Sequence, residues 1–130
     1  MTPEQKLKHL VLLKSVDLGA PPLPDGVNAE TIDDLYDERY EEDGGELQDA
    51  RSEVRCSGEE TDIAAPFSRH YESDSHAAQY LDGSWVGWTY WYGGGKHGEP
   101  EAIDWMNDAY GLTCEEKQVM VTQRTFTKPT

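Results

Sequence analysis

Positive charge is scarce in this chain of 130 residues. Lys and Arg number 11 against 26 Asp and Glu, which gives a formal net charge of −15. Bare nucleic acid and anionic membranes repel such a chain, so we expect no direct contact with either. A macromolecular partner is expected to be basic, in particular a protein that itself binds nucleic acid. Solubility alone also accounts for an acidic composition, and that alternative stays open.

Cysteines and long hydrophobic runs are also scarce. Cys56 and Cys114 lie far apart and form no CxxC pair, which favours reduced thiols in a cytoplasmic setting. Met1 leads directly into a capped helix, without a basic leader or a long apolar stretch. We therefore expect neither secretion nor membrane spanning, and we place the protein in the cytoplasm.

Motifs of catalysis and cofactor binding are missing as well. The chain has no HExxH pair, no GxSxG elbow and no GxxxxGK[ST] loop. The glycine-rich segment 93–100 stands where a phosphate would bind, but its following helix begins with Glu99 and Glu101, which repel an anion. We predict no cofactor, and the sequence contains no positive reason to assign an enzyme.

The first half of the chain is acidic and begins with a helix. Thr2-Pro3-Glu4-Gln5 forms a capping box with proline at the first helical position, which predicts a helix over residues 1–18. A proline-rich connector follows over 19–27. Residues 28–62 form an acidic segment, predicted to hold a second helix from Asn28 and a strand over 50–56.

The second half is rich in aromatic residues and predicts a sheet. Asp82-Gly83 indicates a type I′ turn in a β-hairpin over 69–92. A helix near 100–110 and a closing strand over 117–127 complete a unit of residues 66–128. The expected fold is thus a single α+β domain with an antiparallel sheet of three to four strands. The helix near 100–110 and one or two N-terminal helices are expected to pack on it.

Three sets of side chains are candidates for function. The first is an acidic surface on the second helix and the loop after it. Its members are Asp33, Asp34, Asp37, Glu38, Glu41, Glu42 and Asp43. Like charges four residues apart repel each other by a few tenths of a kcal/mol, so these acids are either kept for a partner or form an ordinary solvated face.

The second candidate set lies on the aromatic strand and the glycine-rich loop. It consists of Trp88, Tyr90, Trp91, Lys96 and His97. Both faces of the strand are apolar, which predicts a central strand, and an open face would stack a ligand or a partner side chain. Core packing is the alternative interpretation.

The third candidate set alternates along the first strand of the hairpin. His70, Glu72, Asp74 and His76 share one face. Two imidazoles and two carboxylates are suited to a divalent metal or to acid–base chemistry, although any polar strand face shows the same spacing.

The segment from Trp85 to Thr127 resembles small bacteriophage and prophage proteins. The resemblance lies in the runs YWYGGGKH (90–97) and EAIDWM (101–106) and in the final strand near 119–126. It implies a mobile-element setting and no defined activity. The leading hypothesis is a binding protein whose carboxylates imitate DNA and block a basic host protein. The alternatives are a small-ligand or metal-binding protein, or an interaction module that uses exposed aromatics such as Trp91 and Trp105.

Overall fold

The computed structural model describes residues 1–94 and 104–129. Three helices come first: α1 (Pro3–Asp17), α2 (Ile32–Glu41) and α3 (Glu46–Ser57). Four strands follow: β1 (Glu59–Thr61), β2 (Glu72–Gln79), β3 (Trp85–Tyr92) and β4 (Tyr110–Leu112). The strands form one antiparallel sheet in the order β1-β2-β3-β4. The predicted α+β class, with a small antiparallel sheet and N-terminal helices, is confirmed.

The N-terminal helix begins as its sequence predicts. The Thr2 hydroxyl accepts from the Gln5 amide, and the Gln5 side chain accepts from the Thr2 amide, so both halves of the capping box form. Leu7, Val11 and Leu12 are fully buried on the side of α1 that meets the sheet and α3. None of the helices in residues 1–94 and 104–129 is long and apolar enough to cross a bilayer.

The hairpin of β2 and β3 is confirmed, but its turn differs from the prediction. The Gly83 amide donates to the Tyr80 carbonyl, and the Tyr80 amide donates to the Ser84 carbonyl. Gly83 has φ +89°, whereas Asp82 has a negative φ. A type I′ turn needs positive φ at both central residues, so the loop is instead a three-residue connection with glycine in the left-handed position.

The core lies between the helices and one face of the sheet. Val86 and Trp88 project from β3 into it and are completely buried. Trp105 and Met106 complete the core from the segment before β4, and the Trp105 ring lies 5.6 Å from that of Trp88. The other face of β3 is covered in part by the loop after β1, where Pro66 accepts a hydrogen bond from Ser73. β3 is therefore a central strand, with one face in the core and the other face partly covered.

The predicted strand over 50–56 is wrong, because these residues belong to α3. Leu47 and Ala50 are buried and Val54 is half-buried, which is the 3–4 spacing of a helix. Ser52 and Cys56, placed on the same strand face by alternation, are exposed. The alternation of small and polar residues is weak, and packing against α1 stabilises the helix instead.

Two predictions for the second half need correction within the described residues. Residues 100–103 of the predicted third helix lie outside them, while 104–109 form no helix and Gly111 lies in β4. The predicted strand over 117–127 does not form, and Val119, Met120 and Phe126 are exposed. A segment with strand-like composition forms a strand only when it pairs with another strand. The position next to β3 at this edge of the sheet is occupied by the short β4.

Gly58 tests the close packing of α3 on the sheet. A Cβ at this position would lie 2.6 Å from the Trp88 ring, so Gly58→Ala is expected to lower the free energy of unfolding by about 1–3 kcal/mol through overpacking. Urea unfolding measures the loss. Gly111→Ala is the matched control, since a Cβ there meets nothing within 4 Å. Equal stabilities for the two variants would contradict this packing.

His9 predicts how stability changes with pH. It is buried on α1, its Nδ1 lies 2.6 Å from the Tyr80 hydroxyl, and burial lowers its pKa. The unfolded chain takes up a proton near pH 6.5, whereas folded His9 resists protonation. Its stabilising contribution is therefore complete above about pH 6.5 and is lost as the pH falls through the folded pKa.

Urea unfolding at several pH values between 7.5 and 5.5 checks this dependence. His9→Gln should lose less stability over that range than the unchanged protein. His70→Gln, at an exposed position, should follow the unchanged protein. A His9→Gln profile as steep as the parent's would show that His9 is not the titrating group.

Candidate functional site

The acidic surface covers the outer side of α2 and the turn that leads into α3. Ile32 and Tyr36 turn inward and are buried, which leaves the opposite side of the helix to solvent. Six of the seven predicted carboxylates are exposed, and Asp43 is half-buried. The predicted surface therefore exists as one continuous stretch of the folded chain.

Two members of the acidic surface have internal partners. Asp33 accepts from Lys8 at 3.0 Å, and this hydrogen bond is the main reason why the pKa of Asp33 is lowered. Asp43 accepts from the amides of Gly45, Leu47 and Gln48 at the start of α3. Burial raises the pKa of Asp43, but the three amides outweigh that effect and the net change is downward. Asp43 is thus first of all a helix cap.

The one cation of α2 is turned back into the protein. Both terminal nitrogens of Arg39 donate to the proline connector, at 2.6 Å to the Pro21 carbonyl and 2.8 Å to the Pro22 carbonyl. A groove between the connector, α2 and the start of α3 lies beside this contact, with Glu38, Glu42 and Glu46 among its lining residues. The carboxylates facing this groove outnumber its cation.

A second cluster forms where β1 meets β2. The register places Glu60 directly opposite His76, and Asp74 lies two residues along β2 on the same face. One ligand-type atom from each of these three side chains lies within 4.8 Å of the other two. We call Glu60, Asp74 and His76 the sheet-edge trio.

His76 is the buried member of the sheet-edge trio, with 5% of its surface exposed. Its ring stacks on Tyr90 at 4.7 Å and meets Trp88 edge-on at 6.2 Å. Burial lowers the pKa of His76, the carboxylates of Glu60 and Asp74 raise it, and the Arg55 charge lowers it. The net effect is a lowered pKa, which favours the neutral ring that a metal ion requires.

The structure brings together two of the four residues predicted as a metal face. Asp74 and His76 belong to the sheet-edge trio, whereas His70 lies in a bend before β2 and Glu72 at the exposed start of that strand. The missed member is Glu60, which lies in the acidic segment 28–62, beyond the strand predicted at 50–56. The local sequence carries no signal for it, because only the pairing of β1 with β2 places it opposite His76.

The aromatic candidates divide between core and surface. Trp88 and Trp105 are 0% and 2% exposed, so neither is available for direct contact with a partner. Trp91 is half-buried on the opposite face of β3, where its ring packs edge-on against Tyr71. Tyr90 is half-buried and lies beneath the Arg55 guanidinium at 4.6 Å. Lys96 and His97 lie outside the described residues.

Arg55 was not predicted as a site residue, yet it is buried beside the sheet-edge trio. Its guanidinium donates to the Trp91 carbonyl, and its own carbonyl accepts from the Trp88 indole at 3.2 Å. Arg55 thereby joins the last turn of α3 to β3 through both its side chain and its main chain. Its alternating position in the predicted strand concealed this role.

Comparisons with known proteins reveal no relative. No family model, no curated protein and no solved structure matches this chain. The resemblance of residues 85–127 to phage proteins therefore stays a prediction.

Asp43→Ala tests whether Asp43 caps α3. Loss of an oxygen acceptor at a helix start costs about 0.5–2 kcal/mol, so this variant should unfold at lower urea. The contribution of the lowered Asp43 pKa is complete above about pH 3.9 and is lost as the pH falls through the folded pKa. Asp37→Ala, which removes an exposed carboxylate and its repulsion, should not destabilise. An equal loss of stability in Asp43→Ala and Asp37→Ala would contradict the capping role of Asp43.

Proposed function

We propose that the acidic surface binds a basic, nucleic-acid-binding protein by imitating the phosphates of DNA. The observation that carries the proposal is the one-sided charge of α2. Five carboxylates stand on this helix of ten residues, and its one cation, Arg39, is held by the connector carbonyls. A partner approaching the outer side of α2 from solvent therefore meets five carboxylates against one partly buried cation.

The spacing of the carboxylates along α2 matches the charge spacing of a nucleic-acid strand. Ten helical residues rise about 15 Å, so five carboxylates give about one charge per 3 Å of axis. One strand of B-DNA carries one charge per about 3.4 Å. The Lys8 contact offsets Asp33 and Arg39 adds one positive charge, so the net density is about one negative charge per 5 Å, while the carboxylates themselves keep a phosphate-like spacing. The agreement supports occupation of a groove built for phosphates.

The groove beside α2 adds shape to the charge. Glu38, Glu42 and Glu46 line a concavity, into which a single Lys or Arg side chain of a partner can be inserted. Such charge pairs speed association and specify the partner more than they add affinity. The proposal therefore includes fast binding that weakens steeply as salt rises. The setting we propose is the cytoplasm of a host cell, in line with the resemblance to phage proteins.

An interaction module that uses exposed aromatics is the less favoured alternative. Of its two candidate residues, Trp105 is buried in the core, and only Trp91 offers surface. Binding through Trp91 would bury apolar area and would respond weakly to salt, because screening acts on charges.

A charge-reversed variant tests the proposal. Tagged protein is used to capture partners from bacterial lysate at about 50 mM and about 500 mM salt, between which the Debye length falls severalfold. We expect a basic protein to be held at the lower salt alone and to be released by added duplex DNA. Asp34→Lys, Asp37→Lys and Glu41→Lys combined should abolish its capture.

A second triple variant controls for net charge. Asp25→Lys, Glu115→Lys and Glu116→Lys change the total charge by the same amount at exposed positions outside the acidic surface. This variant should still capture the partner. Equal loss in both variants, capture that resists high salt, or capture that duplex DNA does not reverse would each count against phosphate imitation.

A further inference from the structure

His76 is a buried imidazole whose two nitrogens both lack a hydrogen-bond partner. The Arg55 carbonyl approaches the ring, but it makes no hydrogen bond of normal geometry to either nitrogen. A buried polar group left without a partner is destabilising, so a ligand at the ring would be stabilising. The observation is independent of the acidic surface on α2.

The two carboxylates of the sheet-edge trio converge on this same ring. Ligand atoms bonded at about 2.0–2.2 Å to one tetrahedral ion lie about 3.3–3.6 Å from each other. The ligand-type atoms of the trio lie within 4.8 Å of one another, so they have to approach by at most about 1.5 Å to reach this spacing. Glu60 is exposed and stands on a long side chain, so it can close the remaining distance.

We propose that Glu60, Asp74 and His76 bind a divalent transition-metal ion, and that Zn²⁺ and Mn²⁺ are the ions to which this donor set is suited. One imidazole nitrogen and two carboxylate oxygens form a mixed set of borderline and hard donors, which both ions accept. Two carboxylates and a neutral imidazole carry a charge of −2, which balances the ion.

The surroundings provide both an outer shell and an opening. A metal-bound histidine usually donates its second N–H to a carbonyl or carboxylate. The Arg55 carbonyl lies close to the His76 ring and can accept this hydrogen bond. The Arg55 guanidinium opposes a cation, but it is held by the Tyr90 ring and the Trp91 carbonyl, and two carboxylates outnumber it. Because β1 is an edge strand with Glu60 exposed, an ion can enter from solvent.

Calorimetric titration of the full chain with MnCl₂ and with ZnCl₂ tests the site. We expect one ion per chain, bound with a Kd below about 100 μM, equivalent to roughly −5.5 kcal/mol or better. Glu60→Gln and Asp74→Asn should each weaken binding by at least about tenfold, the size of effect common for residues around a metal. Both variants keep the side-chain shape, and circular dichroism confirms that they fold.

Two matched variants guard against non-specific binding. Asp62→Asn removes an exposed carboxylate two residues from Glu60, and His70→Gln removes an exposed histidine near the start of β2. Both should bind the ions as the unchanged protein does. Weakening by Asp62→Asn equal to that by Glu60→Gln would overturn the proposal, as would the absence of binding at about 1 mM, which corresponds to about −4.1 kcal/mol.

Paramagnetic broadening by Mn²⁺ locates the ion directly. In NMR spectra, signals of His76 and Tyr90 should broaden at lower Mn²⁺ concentrations than signals of α2. Broadening centred on α2 would show that the ion is attracted by the acidic surface and would overturn the sheet-edge site. This readout does not depend on any partner, so it can fail while the proposed protein binding holds, or the reverse.

Discussion

The burial of Trp88 is the interaction on which the rest of the structure depends. Its indole donates to the Arg55 carbonyl at the end of α3, and Gly58 leaves room for its ring where the chain turns into β1. The same ring contacts Trp105, which lies in the segment before β4, and His76 of β2. One side chain therefore sets the position of α3, of β1 and of the imidazole in the sheet-edge trio.

The cations and the carboxylates of this protein lie in different environments. Lys8 forms an ion pair with Asp33 of α2, and Arg39 donates to the proline connector. Arg55 is buried against the sheet. Most of the other carboxylates in the described residues are exposed to solvent, where their mutual repulsion is screened and costs little. Because the cations are placed inside contacts, the outer side of α2 stays negative, and this is the property that a basic partner would recognise.

Local patterns predicted part of the fold and less of the candidate sites. The capping box at Thr2 and the hairpin of β2 and β3 follow from signals between near neighbours. The strand predicted at 50–56 failed because alternation and helical spacing overlap in so short a run, and packing on α1 decided between them. Residues 117–127 have strand-like composition but find no partner strand in the described part of the chain.

The sequence by itself determined the net charge, the continuous acidic surface and the aromatic content of β3, because each of these is a property of consecutive residues. The tertiary structure alone decided that Trp88 and Trp105 are core while Trp91 reaches the surface, since burial depends on which elements cover a strand. It also decided that Glu60, rather than His70, joins Asp74 and His76. Strand register is set by contacts between distant segments, and no local periodicity records it.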